Sequence, residues 1–340
     1  MPESFDIESF LDRARRVAVV DVRSPGEFTQ GHIPGTVSVP LFSDAERAEI
    51  GTAYVQQGRK PAVMLGLSRV GPRMAELGAR LTELAEAAEG ELLIHCWRGG
   101  MRSASMAWLA ETLGIHAATL IGGYKSYRRW AIDSTGRGRS INVVAGLTGT
   151  GKTHVIHALA ARGENVIDLE KLAHHKGSAF GDLGEEPQPP QEQFENELAM
   201  AWRDTRADAP VWLEDESRNI GRCSLPDGLW QSKQAGRFHV IELPDDARLA
   251  HLCEIYSGHP PEVLAACIER IRKRLGGDRT SAAIDAVRAG HFKEASRLVL
   301  AYYDRCYRES VEKIPPGRLQ RFSFDHLDPA AISEALCGPA

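Results

Sequence analysis

The chain has 340 residues, enough for two domains with separate cores, and its composition of 43% apolar and 26% charged residues is that of an ordinary globular protein. A formal net charge of -5 excludes a global attraction to nucleic acid, so any RNA contact has to come from a local basic patch. The first ten residues carry acids where a secretory leader would carry bases and an apolar core, no run reaches membrane-spanning length, and the six cysteines lack CxxC spacing. These features predict a cytoplasmic protein with no membrane partner, no zinc site and no disulfide framework.

In chain order, Val17 to Arg23 form an apolar strand that ends in charge, followed by the turn Ser24-Pro25-Gly26 and by Glu27-Phe28-Thr29-Gln30-Gly31-His32-Ile33-Pro34-Gly35. A helical stretch rich in Ala, Leu and Glu covers about Val70 to Ala88 and leads into Leu92-Leu93-Ile94, a buried strand expected to end at Cys96. The loop Cys96-Trp97-Arg98-Gly99-Gly100-Met101-Arg102 joins it to a helix beginning near Ser103. Two adjacent glycines let the backbone turn inward, and N–H groups at a helix N-terminus make a concave anion site with Cys96 at its base. The same dipoles, with Arg98 and Arg102, favour thiolate over thiol. A strand around Ala118 to Ile121 and a closing helix from Gly122 to Trp130 complete this first domain, at residues 5–133.

Residues 134–140, Ser-Thr-Gly-Arg-Gly-Arg-Ser, read as a linker. A second domain, 141–338, begins with the strand Ile141 to Ala145. There follows Gly146-Leu147-Thr148-Gly149-Thr150-Gly151-Lys152-Thr153, a full match to G-x-x-x-x-G-K-[ST], and then a helix from His154 to Ala161. Its glycines expose N–H groups to phosphate oxygens, Lys152 supplies a point charge, and Thr153 is placed to hold Mg²⁺. Asn165 to Asp168 and Pro210 to Glu216 are strands ending in acids, so Glu214 or Asp215 is a candidate for a metal-bound water, or else a solvated strand end. Between them, His174, His175, Lys176 and Ser178 look like a loop closing over an anion, a surface loop being the more ordinary reading. Phe238 to Leu243 is another strand. From about 245 to 304 the pattern is helical, with interspersed Arg270, Arg272, Lys273, Arg274, Arg279, Arg288, Lys293 and Arg297 that form a solvated face or follow an RNA backbone. Arg318 to Phe324 and Pro329 to Leu336 form a last strand and helix. The fold class is α/β, the second domain a doubly wound parallel sheet of the P-loop type with a helical segment.

Taken alone, the Cys96 loop has three readings. His-Cys-x-x-x-x-x-Arg-Ser is the loop of cysteine phosphatases, in which Cys attacks phosphorus and Arg clamps two oxygens. It also suits a chalcogen transferase whose thiolate carries sulfur or selenium, or a binding module that has lost catalysis. The N-terminal pattern Asp21-x-Arg23-x-x-x-Glu27-Phe28-x-x-Gly31-His32-Ile33-x-Gly35 closely resembles rhodanese-like domains, in which these charged residues are mostly structural. A rhodanese-type loop joined to the phosphate loop, to Leu172-Ala-His-His-Lys-Gly-Ser-Ala-Phe-Gly181 and to Glu214-Asp-Glu-Ser-Arg218-Asn-Ile-Gly221, resembles the tRNA 2-selenouridine synthase family over nearly the whole chain.

The resemblance implies an enzyme that replaces sulfur by selenium in the wobble 2-thiouridine of tRNA, with selenophosphate as donor, through an S-geranylated intermediate made from geranyl diphosphate. It implies no tightly bound cofactor and no firm metal site, with Mg²⁺ as an optional helper. Cys96 becomes the selenium site, with Trp97 to Arg102 holding selenophosphate. Gly146, Thr148, Gly149, Thr150, Gly151, Lys152 and Thr153 become the diphosphate cradle, with His174, His175, Lys176, Ser178, Glu214, Asp215 and Arg218 as supporting or lid residues. For tRNA the candidates are Lys125, Arg128, Arg129, Arg137 and Arg139, with Tyr124, Tyr127 and Trp130 available to stack on bases. The rival from another class is a P-loop kinase or ATPase with a regulatory rhodanese or cysteine-phosphatase-like domain.

Overall fold

The computed structural model describes residues 2–88 and 90–338. The chain divides into two compact units: Met1–Ser134 together with Glu195–Met200, and Thr135–Phe194 together with Ala201–Ala340. The sequence reading treated 141–338 as one piece and did not foresee that the middle of the helix Gln191–Asp204 completes the first unit.

The first unit is built on five parallel strands, β1 (Glu3–Phe5), β2 (Ala18–Asp21), β3 (Val37–Ser38), β4 (Glu91–His95) and β5 (His116–Leu120), in the order β1-β5-β4-β2-β3. A sheet covered on both faces needs apolar residues on both sides of its strands, and Leu92, Leu93 and Ile94 are all fully buried. Register sets Asp21 beside His95, so β2 and β4 reach the carboxyl edge together where the Cys96 loop begins. Two helices escaped the sequence reading, Asp44–Gln57 and Arg59–Val70. The signal for the first was present: Ser43 accepts from the Glu46 amide at 3.2 Å while the Glu46 carboxylate accepts from the Ser43 amide at 2.8 Å, a reciprocal cap.

Beneath the loop lies a fully buried ion pair. The Arg23 guanidinium donates to Asp21 at 2.6 Å and to the carbonyl of Gly31 at 2.7 Å, and rests 3.6 Å from the ring centre of Tyr124. The expectation that Asp21 and Arg23 are structural is thereby given its geometry. His95, with its ring 6.2 Å from that of Tyr124, is pushed down to about 4 chiefly by burial and is neutral at pH 7.

The second unit carries β6 (Ile141–Gly146), β7 (Asn165–Val166), β8 (Val211–Glu214), a short antiparallel ribbon of β9 (Asn219–Ile220) and β10 (Cys223–Ser224), β11 (Arg237–Glu242) and β12 (Leu319–Ser323). Its five-stranded parallel sheet runs β12-β11-β6-β8-β7, which puts β6 in the centre and the reversal of strand order at its carboxyl end. β7 is shorter than read from sequence. Asp168 instead caps the helix Leu169–Ala173, accepting from the Lys171 amide at 2.7 Å. The helical segment extends past residue 304, its last member running over Phe292–Val311, and packs Leu264, Ile268 and Val299 against Phe180. Arg270, Arg272, Arg288, Lys293 and Arg297 each pair with a nearby acid, which makes them a solvated face. No helix among the described residues is long and apolar enough to cross a membrane.

Removing one partner of a buried pair strands the other charge. Replacement of Arg23 by Leu is therefore expected to cost about 3–5 kcal/mol in the unfolding transition of the first unit, read by urea denaturation.

Candidate functional site

Cys96 closes β4 and is almost wholly buried. Its Sγ accepts from the Gly100 amide at 3.4 Å and lies 3.2 Å from the Ser103 hydroxyl, at the start of the helix Met101–Thr112. Burial works against the thiolate, but the hydrogen bonds from Ser103, Gly100 and Arg98 outweigh it and hold the Cys96 thiol below its ordinary value. The loop is closed from behind by backbone alone. Gly99 has φ +63° and Gly123 has φ +61°, and a Cβ on Gly123 would lie 2.3 Å from the Cys96 carbonyl. Amides of Tyr124 and Lys125 bond the carbonyls of Cys96 and Trp97 at 2.8 and 3.0 Å, leaving the loop's own amides turned the other way.

The basic residues of the loop differ. Arg98 is exposed and makes no ion pair among the described residues. Arg102 is held by Glu27 at 2.7 Å, while Glu27 also accepts from the Ser24 amide at 3.1 Å. Glu27, read from sequence as structural and given no chemistry, is thus the residue that positions Arg102. Trp97 leans on Tyr124 at 5.6 Å, and Met101 is half exposed. A trough of about 920 Å³ adjoins the loop, walled by the two helices that the sequence reading passed over.

Of the tRNA candidates, Lys125, Arg129 and Arg137 are exposed. Arg128 is drawn to Glu195 and to Asn196, and Arg139 donates to the Thr205 carbonyl at 2.9 Å and lies over Trp202. Tyr124 and Tyr127 are fully buried in the core of the first unit and do not face a base, which corrects the stacking expected of them. Trp130 donates to Glu8 at 2.6 Å.

In the second unit, β6 runs into the phosphate loop and the helix Lys152–Ala161. Gly149 at φ +86° lies against the Arg248 carbonyl and Gly151 at φ +71° against Leu327, so neither admits a side chain. Lys152 Nζ donates to the Gly146 carbonyl at 3.2 Å, within the loop it would neutralise. Arg248, unnoticed in the sequence, is fully buried between Asp304 at 2.5 Å and the Thr148 carbonyl at 2.9 Å and fixes that side of the loop.

The acid that meets Thr153 is Glu170, which accepts its hydroxyl at 2.7 Å, and not Glu214 or Asp215. Glu214 is fully buried and accepts from the Leu169 amide at 3.1 Å. Asp215 is paired with the buried Lys233 at 2.7 Å. Burial, reinforced by mutual repulsion, raises Glu170, pushes Glu214 well up and moves Glu216 up to about 8. Three carboxyls near the loop are thereby biased toward their uncharged form. Among the described residues no group of three or more His, Cys, Asp or Glu could hold a metal ion.

Of the lid candidates, Ser178 is brought to the phosphate loop. Ser178 and Thr148 both line a pocket of about 60 Å³ whose other walls include Phe180, Leu252, Tyr256 and Ile268. Lys176 pairs with Glu185 at 2.8 Å, and His174, at φ 49°, lies 3.1 Å from the Pro187 carbonyl through Nδ1. His175, lowered by burial, accepts from the Gly177 amide at 3.1 Å. Arg218 is exposed and paired with Asp227.

Comparison with known proteins supplies the rest. Residues 139–324 match the tRNA 2-selenouridine synthase AAA domain, and residues 6–129 the rhodanese-like domain. The tRNA 2-selenouridine synthase of Bordetella petrii is 36% identical, over 95% of this chain and 96% of that protein. The chain belongs to the tRNA 2-selenouridine synthase family. Those of Shewanella piezotolerans and Hahella chejuensis are 35% and 34% identical, covering 91% and 97% of the chain and 92% and 93% of the relatives. Membership thus spans both units, and in this member both anion loops are structurally complete.

Two measurements follow. Alkylation of Cys96 by iodoacetamide, followed by peptide mass spectrometry, should show a pH midpoint below that of a free thiol, moved upward in Ser103→Ala; an unchanged midpoint would remove Ser103 from the cradle. Because the folded Glu216 holds its proton up to about 8 against an ordinary 4.5, stability falls as pH rises through that window. Denaturant unfolding should therefore show wild type losing stability relative to Glu216→Gln between about pH 5 and 8.

Proposed function

We propose that the protein is a tRNA wobble-uridine transferase that replaces the sulfur of 2-thiouridine by selenium, through an S-geranyl intermediate. The name carried by its full-length relatives supports the tRNA and the selenium. The observation that carries the two-step reading is the apolar lining beside Thr148, where Phe180, Leu252, Tyr256 and Ile268 adjoin the phosphate loop; its volume of about 60 Å³ takes the first carbons of a prenyl chain and has to widen for the rest.

A thiocarbonyl sulfur on a uracil ring leaves poorly, whereas an S-alkyl group departs as a thiol. In the first step the sulfur of 2-thiouridine attacks C1 of geranyl diphosphate, the C–O bond breaks, diphosphate leaves with the electron pair, and the base loses its N3 proton. The amides of Gly149 to Thr153 and the Lys152 ammonium receive the charge that develops on diphosphate. Burial pushes Glu214 well up and Glu216 up to about 8, which lessens the repulsion of an anion in that cradle by these two acids. Thr153 and Glu170 are the hard oxygens that would hold Mg²⁺, whose chemistry there is to neutralise the leaving diphosphate.

In the second step selenium of selenophosphate attacks C2, geranyl thiol leaves with a proton, and water takes the phosphoryl group to release 2-selenouridine. The cradle of Cys96 with Arg98 and Arg102 binds the anionic donor. Of the five tRNA candidates, Lys125, Arg129 and Arg137 are exposed and are the ones proposed to meet the tRNA backbone.

Cys96→Ser should abolish selenation and spare geranylation, and Lys152→Ala should lower geranylation by about 100-fold or more, scored by mass spectrometry of wobble nucleosides after incubation with geranyl diphosphate and selenophosphate. ATP turnover without tRNA, with no use of geranyl diphosphate, would favour the kinase or ATPase reading instead.

A further inference from the structure

The trough beside the Cys96 loop is larger than an anion requires. It measures about 920 Å³, near the upper end of small-molecule sites, and runs from Cys96, Arg98 and Arg102 to a wall of Ile50, Tyr54, Leu67 and Trp108. Tyr54, Leu67 and Trp108 are 54%, 61% and 57% exposed. Single exposed apolar side chains are ordinary, but several lining one depression with a nucleophile-type cradle at its end mark a ligand of two characters. One end of that ligand is anionic or develops negative charge, and its body is hydrocarbon.

Selenophosphate alone has no hydrocarbon body, and an unalkylated 2-thiouracil ring has little. The second step of the proposed function supplies both: the S-geranyl base is attacked at C2 by an anionic donor and expels a ten-carbon thiol. We propose that this trough receives the S-geranyl group, so that the Cys96 unit selects the alkylated base and holds the departing thiol's chain while selenium enters. This rests on the two-step reading and assigns specificity for its second step to Leu67, Trp108 and Tyr54, on helices Asp44–Gln57, Arg59–Val70 and Met101–Thr112. Sulfur leaves C2 with the electron pair of the C–S bond and takes one proton; the new C–Se bond comes from selenophosphate.

The test uses the full chain and anticodon stem-loops carrying S-methyl, S-dimethylallyl or S-geranyl 2-thiouridine, with selenophosphate, and follows 2-selenouridine by mass spectrometry. In wild type kcat/KM should rise with chain length. Leu67→Asp and Trp108→Ala should lower it about 10-fold or more for the S-geranyl substrate and leave the S-methyl substrate unaffected, which reports intact folding and chemistry. Variants that keep the wild-type dependence on chain length would overturn the proposal.

Binding is measured separately, by calorimetry with S-geranyl-2-thiouridine and 2-thiouridine nucleosides. Wild type should prefer the geranylated nucleoside about 10-fold or more, a preference absent from Leu67→Asp; equal binding by wild type would overturn the trough whatever the turnover shows. If wild type prefers the geranylated nucleoside but converts no S-alkyl stem-loop, the trough stands and the two-step reading fails. Sedimentation velocity addresses a second copy as occupant: a dimer that Leu67→Asp separates into monomers with unaltered chain-length preference would also overturn it.

Discussion

The Cys96 carbonyl accepts the Tyr124 amide at 2.8 Å, and this bond sets the geometry of the first unit's site. It forms only because the loop and the N-terminus of the helix Gly123–Ser134 approach with no Cβ between them, at Gly99 and Gly123. With its carbonyls taken up behind, the loop can turn amides toward the sulfur. Arg23 supports the same wall, since its guanidinium lies on the Tyr124 ring while neutralising Asp21. A buried charge pair is a weak source of stability, but it fixes direction, and here it fixes the floor on which the thiol rests.

The second unit meets the same physical problem with opposite means. Its loop also offers amides to an anion, but the surrounding acids are buried, which shifts them toward the protonated form. Glu170, Glu214 and Glu216 are raised, while Asp215 is neutralised by Lys233. Arg248 spends its charge on Asp304 and Asp245 and acts on the loop through a single hydrogen bond to Thr148. Lys152 is therefore the cation within the phosphate loop itself.

What could be read from sequence was whatever backbone chemistry demands locally. The phosphate loop and the Cys96 loop announce themselves because glycines are needed at fixed spacings, and the parallel strands because two buried faces require unbroken apolar runs such as Leu92 to Ile94. Contacts made across long stretches of chain were not legible. Glu27 reaches Arg102, Glu170 reaches Thr153 and Arg248 reaches Thr148 only after folding. The helices walling the trough were missed because their apolar residues do not form a single core-facing stripe: Tyr54 and Leu67 lie outward. Tyr124 and Tyr127 were misjudged for a related reason, since a basic segment hides how deeply its aromatic side is buried.

The first unit is not continuous in sequence. Asn196 donates to the His32 carbonyl and to the Tyr124 hydroxyl, both at 2.8 Å, and its own carbonyl accepts the Tyr127 hydroxyl at 3.0 Å, inside the core that carries Cys96. During synthesis from the N-terminus, the ribosome therefore delivers β1 to β5 and the whole phosphate loop before this core can be finished. The core beneath the Cys96 loop waits, its contacts with Asn196 unmade, until about sixty further residues have emerged.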